Sequence, residues 1–247
     1  MSEDLKRTLE LDPSISAVEV KITAQMHDED TVRSVLEGSG ADPEHREVFF
    51  FDTPELGLFD AGVVLRARLT HDGTDDSTVK LRPVDPTTIA DDWKNTDGFE
   101  IELDSVGDTT ICSAKLSVDQ DRNEIRQVGA GERPLRKLFS KDQERLILEH
   151  APAEVSWEDL TVLGPVQVRK WKLDPKAFAH DITAEEWVLP DGSDLIELSI
   201  KVEPGESDTA SEEFLAFLRS KSFDTEGDQQ TKTRGALRFF TTGEGLD

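Results

Sequence analysis

Charged and apolar side chains alternate in five short stretches of this chain, and the two signs of charge are concentrated on different stretches. VVLRARLT (63–70) carries Arg66 and Arg68 between apolar positions, and TVKLRP (78–83) carries Lys80 and Arg82. FEIELD (99–104) sets Glu100, Glu102 and Asp104 against Phe99, Ile101 and Leu103. VEVKIT (18–23) offers Glu19 and Lys21, and LIELSIKVE (195–203) offers Glu197, Ser199, Lys201 and Glu203. A guanidinium grips phosphate oxygens in bidentate fashion, and an ammonium binds them as a point charge. A few carboxylates can hold Mg²⁺ or Mn²⁺ while water and phosphate oxygens fill the other positions. Both sets on one surface would suit a polyphosphate accompanied by a divalent cation.

These residues need elements that present them together. A period of two puts each charged set on one face of a strand and each apolar set on the other. Such charged faces ordinarily point to water. Here, however, residues 61–71 and 77–84 contain no acid at all, in a chain whose acids outnumber its bases almost two to one. If the apolar faces pack outward against helices, the charged faces turn inward around a lumen. A barrel of about eight antiparallel strands is wide enough to enclose one small ligand. The helices expected are 28–38, stopped by Gly38, and a segment opening at Thr209-x-x-Glu212 that turns Phe214, Leu215, Phe217 and Leu218 to one side. SKDQERLILEH (140–150) has a capping box at Ser140-x-x-Gln143, yet its Leu146-Ile147-Leu148 run suits a strand equally well.

Composition narrows the functions. The 247 residues include 28 Lys and Arg against 53 Asp and Glu, a net charge of −25. A field of that sign repels nucleic acid and anionic membrane surfaces, and it also suits solubility at high salt. Apolar residues make up 36%, enough for a packed core. The longest apolar run is FLAFL (214–218) and the opening is polar, so a soluble cytoplasmic protein is expected. Cys112 is the sole cysteine, which excludes an intrachain disulfide and a cysteine metal cluster. The five histidines lack zinc-site spacing, and glycine-rich phosphate loops and a G-x-S-x-G elbow are absent. The tryptophans at 93, 157, 171 and 187 read as core or rim packing.

The stretch FFFDTPELGLFDAGVVLRARL (49–69), followed by TVKLRP and FEIELD, resembles the CYTH family of triphosphate tunnel metalloenzymes. That family places a Glu-x-Glu-x-Lys strand, a Phe-Asp-Thr-Pro turn, an Arg-x-Arg strand, a Thr-x-Lys strand and a Glu-x-Glu strand in this order. The resemblance implies an α+β fold, an antiparallel β-barrel or tunnel of about eight strands with helices packed outside. It covers 16–240 as one domain, weakly between 105 and 190, with 1–15 as an N-terminal tail. It implies phosphate binding by Arg66, Arg68, Lys80, Arg82, Arg145, Lys201 and Lys232, with Arg234 completing the basic set. Glu19, Glu100, Glu102 and Glu197 become ligands of Mg²⁺ or Mn²⁺, and Glu19 and Lys21 become the catalytic pair. Two acids of the family pattern are replaced, by Ala17 and Ser199, and Glu185, Glu186 and Glu203 are the next acids to consider. The implied activity is metal-dependent hydrolysis of an inorganic or organic triphosphate. The alternatives are a non-catalytic module that binds polyphosphate or nucleotide, and an adenylate cyclase of the same family. The partner is a small triphosphate or polyphosphate, with no nucleic acid and no membrane.

Overall fold

The computed structural model describes residues 12–24, 42–107, 109–223, 225, 229 and 231–243; the helix expected over 28–38 lies outside these residues. Nine strands form a closed barrel: β1 (Ile15–Ala24), β2 (Glu44–Asp52), β3 (Val63–Thr70), β4 (Asp76–Leu81), β5 (Phe99–Val106), β6 (Thr109–Asp119), β7 (Thr161–Leu173), β8 (Ile182–Val188) and β9 (Asp194–Val202). Around the barrel they run β1-β5-β6-β4-β3-β2-β7-β8-β9, and β9 returns to β1. The count among the described residues agrees with the expectation of about eight. One pair departs from the antiparallel expectation, because β1 lies parallel to β5 and supplies the seam that closes the ring.

The barrel is apolar outside and charged inside. Val18, Val20 and Ile22 of β1, Leu65 and Ala67 of β3, Ile101 and Leu103 of β5, and Leu198 and Ile200 of β9 all belong to one buried cluster on the outer faces. Helices cover it: Ile125 and Val128 come from α3 (Arg122–Gly129), Leu146 and Ile147 from α4 (Lys141–His150), and Ala210, Phe214 and Leu218 from α5 (Ser207–Ser220). Two short helices, α1 (Gly57–Asp60) and α2 (Asp91–Lys94), lie in connections, and α6 (Lys232–Thr242) follows α5. No helix among the described residues is long and apolar enough to cross a membrane.

The ambiguous segment 140–150 is helical because both halves of its capping box form. Gln143, fully buried, also donates to the carbonyls of Ser77 and Leu116 and accepts from Ser77 Oγ, clamping α4 onto β4 and β6. At α5 the helix begins at Ser207, two residues before the expected box at Thr209, and its first turn has no side-chain cap. The Asp-Thr-Pro turn has a structural cause. Buried Asp52 accepts hydrogen bonds from the backbone N–H groups of Thr53, Leu58 and Phe59 at 2.7–2.9 Å, folding the chain so that Phe59, Asp60, Ala61 and Gly62 reach the lumen.

Candidate anion-binding tunnel

The lumen is a cavity of about 1060 Å³. Twelve Lys and Arg side chains line it against five Asp and Glu, within a protein whose whole sequence has nearly the reverse ratio. The inward parity of each strand delivers them: Glu19 and Lys21 from β1, Arg66 and Arg68 from β3, Lys80 from β4, Glu102 from β5, Glu197 and Lys201 from β9.

Four charge groups structure the wall. Asp104, wholly buried, accepts from Lys21 Nζ at 2.7 Å, Lys80 Nζ at 2.8 Å and Ser113 Oγ at 2.8 Å, with Arg82 at 3.9 Å. Burial works to raise the Asp104 pKa, but Lys21, Lys80 and Arg82 hold it well below the usual carboxylate range. Lys21 also pairs with Glu19 at 3.0 Å. Burial disfavours its charge, yet Glu19 and Asp104 raise its pKa above the ordinary lysine value. Lys21 is thus a fixed ammonium rather than a proton acceptor near neutral pH.

The second group is cationic. Arg68 Nε donates to Asp76 at 2.7 Å, while Arg66 stands 3.8 Å from that carboxylate and donates to Thr78 Oγ1 at 3.2 Å. Buried Arg66 Nε has no hydrogen-bond partner. Burial, then the charge of Arg68, lowers the Arg66 pKa, so an added anion relieves a real repulsion. Arg46 and Lys170 line the same cavity. In the third group Glu102 accepts from Lys115 at 2.9 Å and Lys201 at 2.6 Å. Against the opposing effect of burial, these lysines bring its pKa down to about 2. In the fourth, Lys232 sits between Glu185 and Glu197.

Ten of the residues singled out from the sequence therefore meet in one cavity: Glu19, Lys21, Arg66, Arg68, Lys80, Arg82, Glu102, Glu197, Lys201 and Lys232. Arg234 joins them. Two do not. Glu100 has the inward parity but stands at the edge, its side chain 46% exposed and 3.1 Å from Lys115, and it does not line the cavity. Arg145 lies on α4 outside the barrel, its guanidinium 3.8 Å above the Trp93 ring and 3.2 Å from Asp92. Its lining role is corrected for a physical reason: α4 packs Leu146 and Ile147 on the outer face, so no residue of that helix reaches the lumen. Ala17 is buried beside the lumen without lining it, whereas Ser199 does line it.

Sequence reasoning missed Asp104 as the hub, and also Arg46, Lys115, Lys170 and the role of Trp187. Asp104 continues the Glu100, Glu102 alternation, which was the available signal. Trp187 lines the lumen with Val48, Phe50 and Val168, in a second apolar cluster that receives Ala236 and Leu237 of α6.

No protein-family model matches the chain, and no curated protein matches it. Solved structures share its fold. A candidate adenylyl cyclase from Hippeastrum, with a dominant triphosphatase activity, is 14% identical, with a TM-score of 0.64 over 92% of this chain and 96% of that one. A candidate adenylate cyclase from Bacillus halodurans is 12% identical, with a TM-score of 0.60 over 89% of this chain and 97% of that one. The chain has the CYTH-type tunnel fold.

Proposed function

We propose that the tunnel takes an inorganic or organic triphosphate and hydrolyses it with Mg²⁺ or Mn²⁺. The observation that carries this reading is the charge reversal, twelve bases against five acids enclosed inside an acidic protein. It selects a compact polyanion, because a closed barrel excludes a duplex or a membrane from its lumen. Arg66, Arg68 and Arg46 hold one run of phosphate oxygens in this reading, and Lys21, Lys80 and Arg82 another, since all six line the cavity. Held in this way, the phosphate chain is fixed for in-line attack by water, and positioning with electrostatics supplies most of the acceleration. Of Glu19, Glu102 and Glu197, ionised Glu19, its side chain 28% exposed, is the most open to an incoming water.

The donor set bears on the cation. Among the described residues no three Asp, Glu, His or Cys side chains gather as metal ligands. Mg²⁺ nevertheless often uses only one or two carboxylates beside phosphate oxygens and water, and Glu19, Glu102 and Glu197 offer that chemistry on the wall. The residues fit a cation that arrives with phosphate, which would add positive charge at the phosphate under attack.

Ala17 and Ser199, in place of two acids, favour a second reading, binding without turnover. One experiment separates the readings. A panel of triphosphates, including inorganic tripolyphosphate and ATP, is incubated with Mg²⁺ or Mn²⁺, and released phosphate, cyclic nucleotide and calorimetric binding are measured in parallel. Phosphate release supports the hydrolase, cyclic product the cyclase, binding without product the module. No binding of any triphosphate rejects all three.

A further inference from the structure

Lys232 is the first residue of α6, and its ammonium is enclosed on the lumen wall between carboxylates of adjacent strands. Glu185 of β8 and Glu197 of β9 are register partners across the sheet. Their side chains are 12% and 3% exposed, and Lys232 Nζ contacts both, with Glu197 Oε1 at 2.8 Å. Paired carboxylates held this way repel unless cations face them; Lys232 lies between the two, and Arg46 stands 3.4 Å from Glu185 Oε1. Burial by itself would lower the Lys232 pKa, but Glu185 and Glu197 more than reverse that, and the ammonium stays charged. It therefore already occupies, with a positive charge, the position between the carboxylates that a divalent cation would take.

The other acids on the wall are each covered by lysine or, in the case of Asp60, exposed. Glu102 is covered by Lys115 and Lys201, and Glu19 by Lys21. Lys232 differs from these lysines in its carriage, for it projects from a helix terminus rather than a strand. The remainder of α6 is seated independently through Ala236 and Leu237 in the apolar cluster around Trp187. The ammonium can thus exchange carboxylate for phosphate acceptors while the helix keeps its packing.

We infer that Lys232 is a built-in competitor of the divalent cation: in the phosphate-free tunnel it fills the Glu185–Glu197 pair, and the cation enters that pair only when phosphate draws the ammonium away. The inference rests on the proposed use of a divalent cation with a triphosphate, and it adds an order of binding. It gives Lys232 control over the metal site in addition to its contact with phosphate.

The test is a Mn²⁺ titration without phosphate, read from the electron paramagnetic resonance signal of free Mn²⁺, in about 0.3 M KCl to screen weak sites on the acidic exterior. The parent protein is expected to show no site that Glu197→Gln removes. Lys232→Met is expected to gain one site per chain, at least about tenfold tighter than any in the parent, and Lys232→Met/Glu197→Gln to lose it. Since Lys232→Met leaves buried Glu197 without its ammonium, with Arg46 at 3.4 Å still facing Glu185, and can fail to fold, Lys232→Met/Glu185→Gln is titrated beside it. That variant removes one charge of each sign, leaves Glu197 without its ammonium, and is expected to bind Mn²⁺ more tightly than the parent. A parent that binds Mn²⁺ tightly through Glu197 without phosphate overturns the inference, and so does the absence of a new site in the folded Lys232 variants. Turnover is not the readout. A protein that hydrolyses no triphosphate, yet gains the site on losing Lys232, sinks the hydrolase and keeps the competitor.

Discussion

Arg68 and Arg145 are chemically alike, and only their surroundings separate a ligand-binding arginine from a packing one. Arg68 stands over the lumen beside Asp76, while Arg145 covers the outer face of Trp93. A charge-assisted contact is worth roughly 1.5–3 kcal/mol, so Arg68→Ala is expected to weaken tripolyphosphate binding by about tenfold or more. Arg145→Ala is expected to leave it unchanged. Calorimetric titration of both variants checks the pair, and equal affinities for Arg68→Ala and the parent would remove Arg68 from the site. Glu102 makes the corresponding prediction in acid. Its folded pKa, about 2, lies below the ordinary glutamate value of 4.5. Its contribution to stability is therefore fully present above about pH 4.5 and is lost as the pH falls toward 2. Unfolding of Glu102→Gln followed from pH 7 to pH 2 should show a stability deficit at neutral pH that shrinks through this window; a deficit independent of pH counts against the ion pairs with Lys115 and Lys201.

At the scale of elements, the alternation of β1, β3, β4, β5 and β9 was readable because each carries at least two successive apolar residues on one face and charged ones on the other. The four other strands were less legible for identifiable reasons. In β2, Val48 to Asp52 are buried on both faces, since the lumen-side Val48 and Phe50 pack under α6, and the charged alternation disappears. In β7, Gly164 and Pro165 interrupt the pattern where the register with β2 shifts. In β6 and β8, apolar Ile111 and Trp187 share the inward side with Thr109, Lys115, Ser117, Thr183 and Glu185, so the charged alternation is broken. The position of α6 against the inner wall leads to a further expectation. Leu237 is 1% exposed among Val48, Phe50 and Trp187, so Leu237→Ala should cost about 2–5 kcal/mol. An unchanged urea midpoint would show that α6 does not contribute to the barrel's stability.

Charge is sorted across the whole molecule. Among the described residues twelve bases line the lumen but only five acids do, in a chain of 28 bases and 53 acids, so the charge carried outside the lumen is more acidic than the net charge of −25 suggests. Salt should then act in opposite directions on fold and ligand. Raising KCl from about 0.1 M to 1 M shortens the screening length from about 10 Å to 3 Å. It relieves repulsion among exterior acids while weakening the pull of the lumen on an entering polyanion. The melting temperature should rise while tripolyphosphate affinity falls. Thermal melts and titrations at the same KCl concentrations test this, and a melting temperature that falls with KCl would contradict it.

The sequence by itself determined which residues share a face, because period two is a local property of an extended chain. From it came the inward set of Arg66, Arg68, Lys80, Glu102 and Glu197, and the outward set that the helices cover. It also determined the acidic character of the exterior. Pairing across the barrel was decided only in three dimensions. Lys21, Lys80 and Arg82 converge on Asp104 because β1 lies parallel to β5 and β6 bridges β5 and β4, a set of neighbours that no spacing along the chain encodes. Tertiary structure likewise put Arg145 outside, on a helix whose apolar stripe faces the barrel wall. It also brought Lys232 between Glu185 and Glu197, since the place where a helix returns to a barrel is fixed by packing and not by its own sequence period.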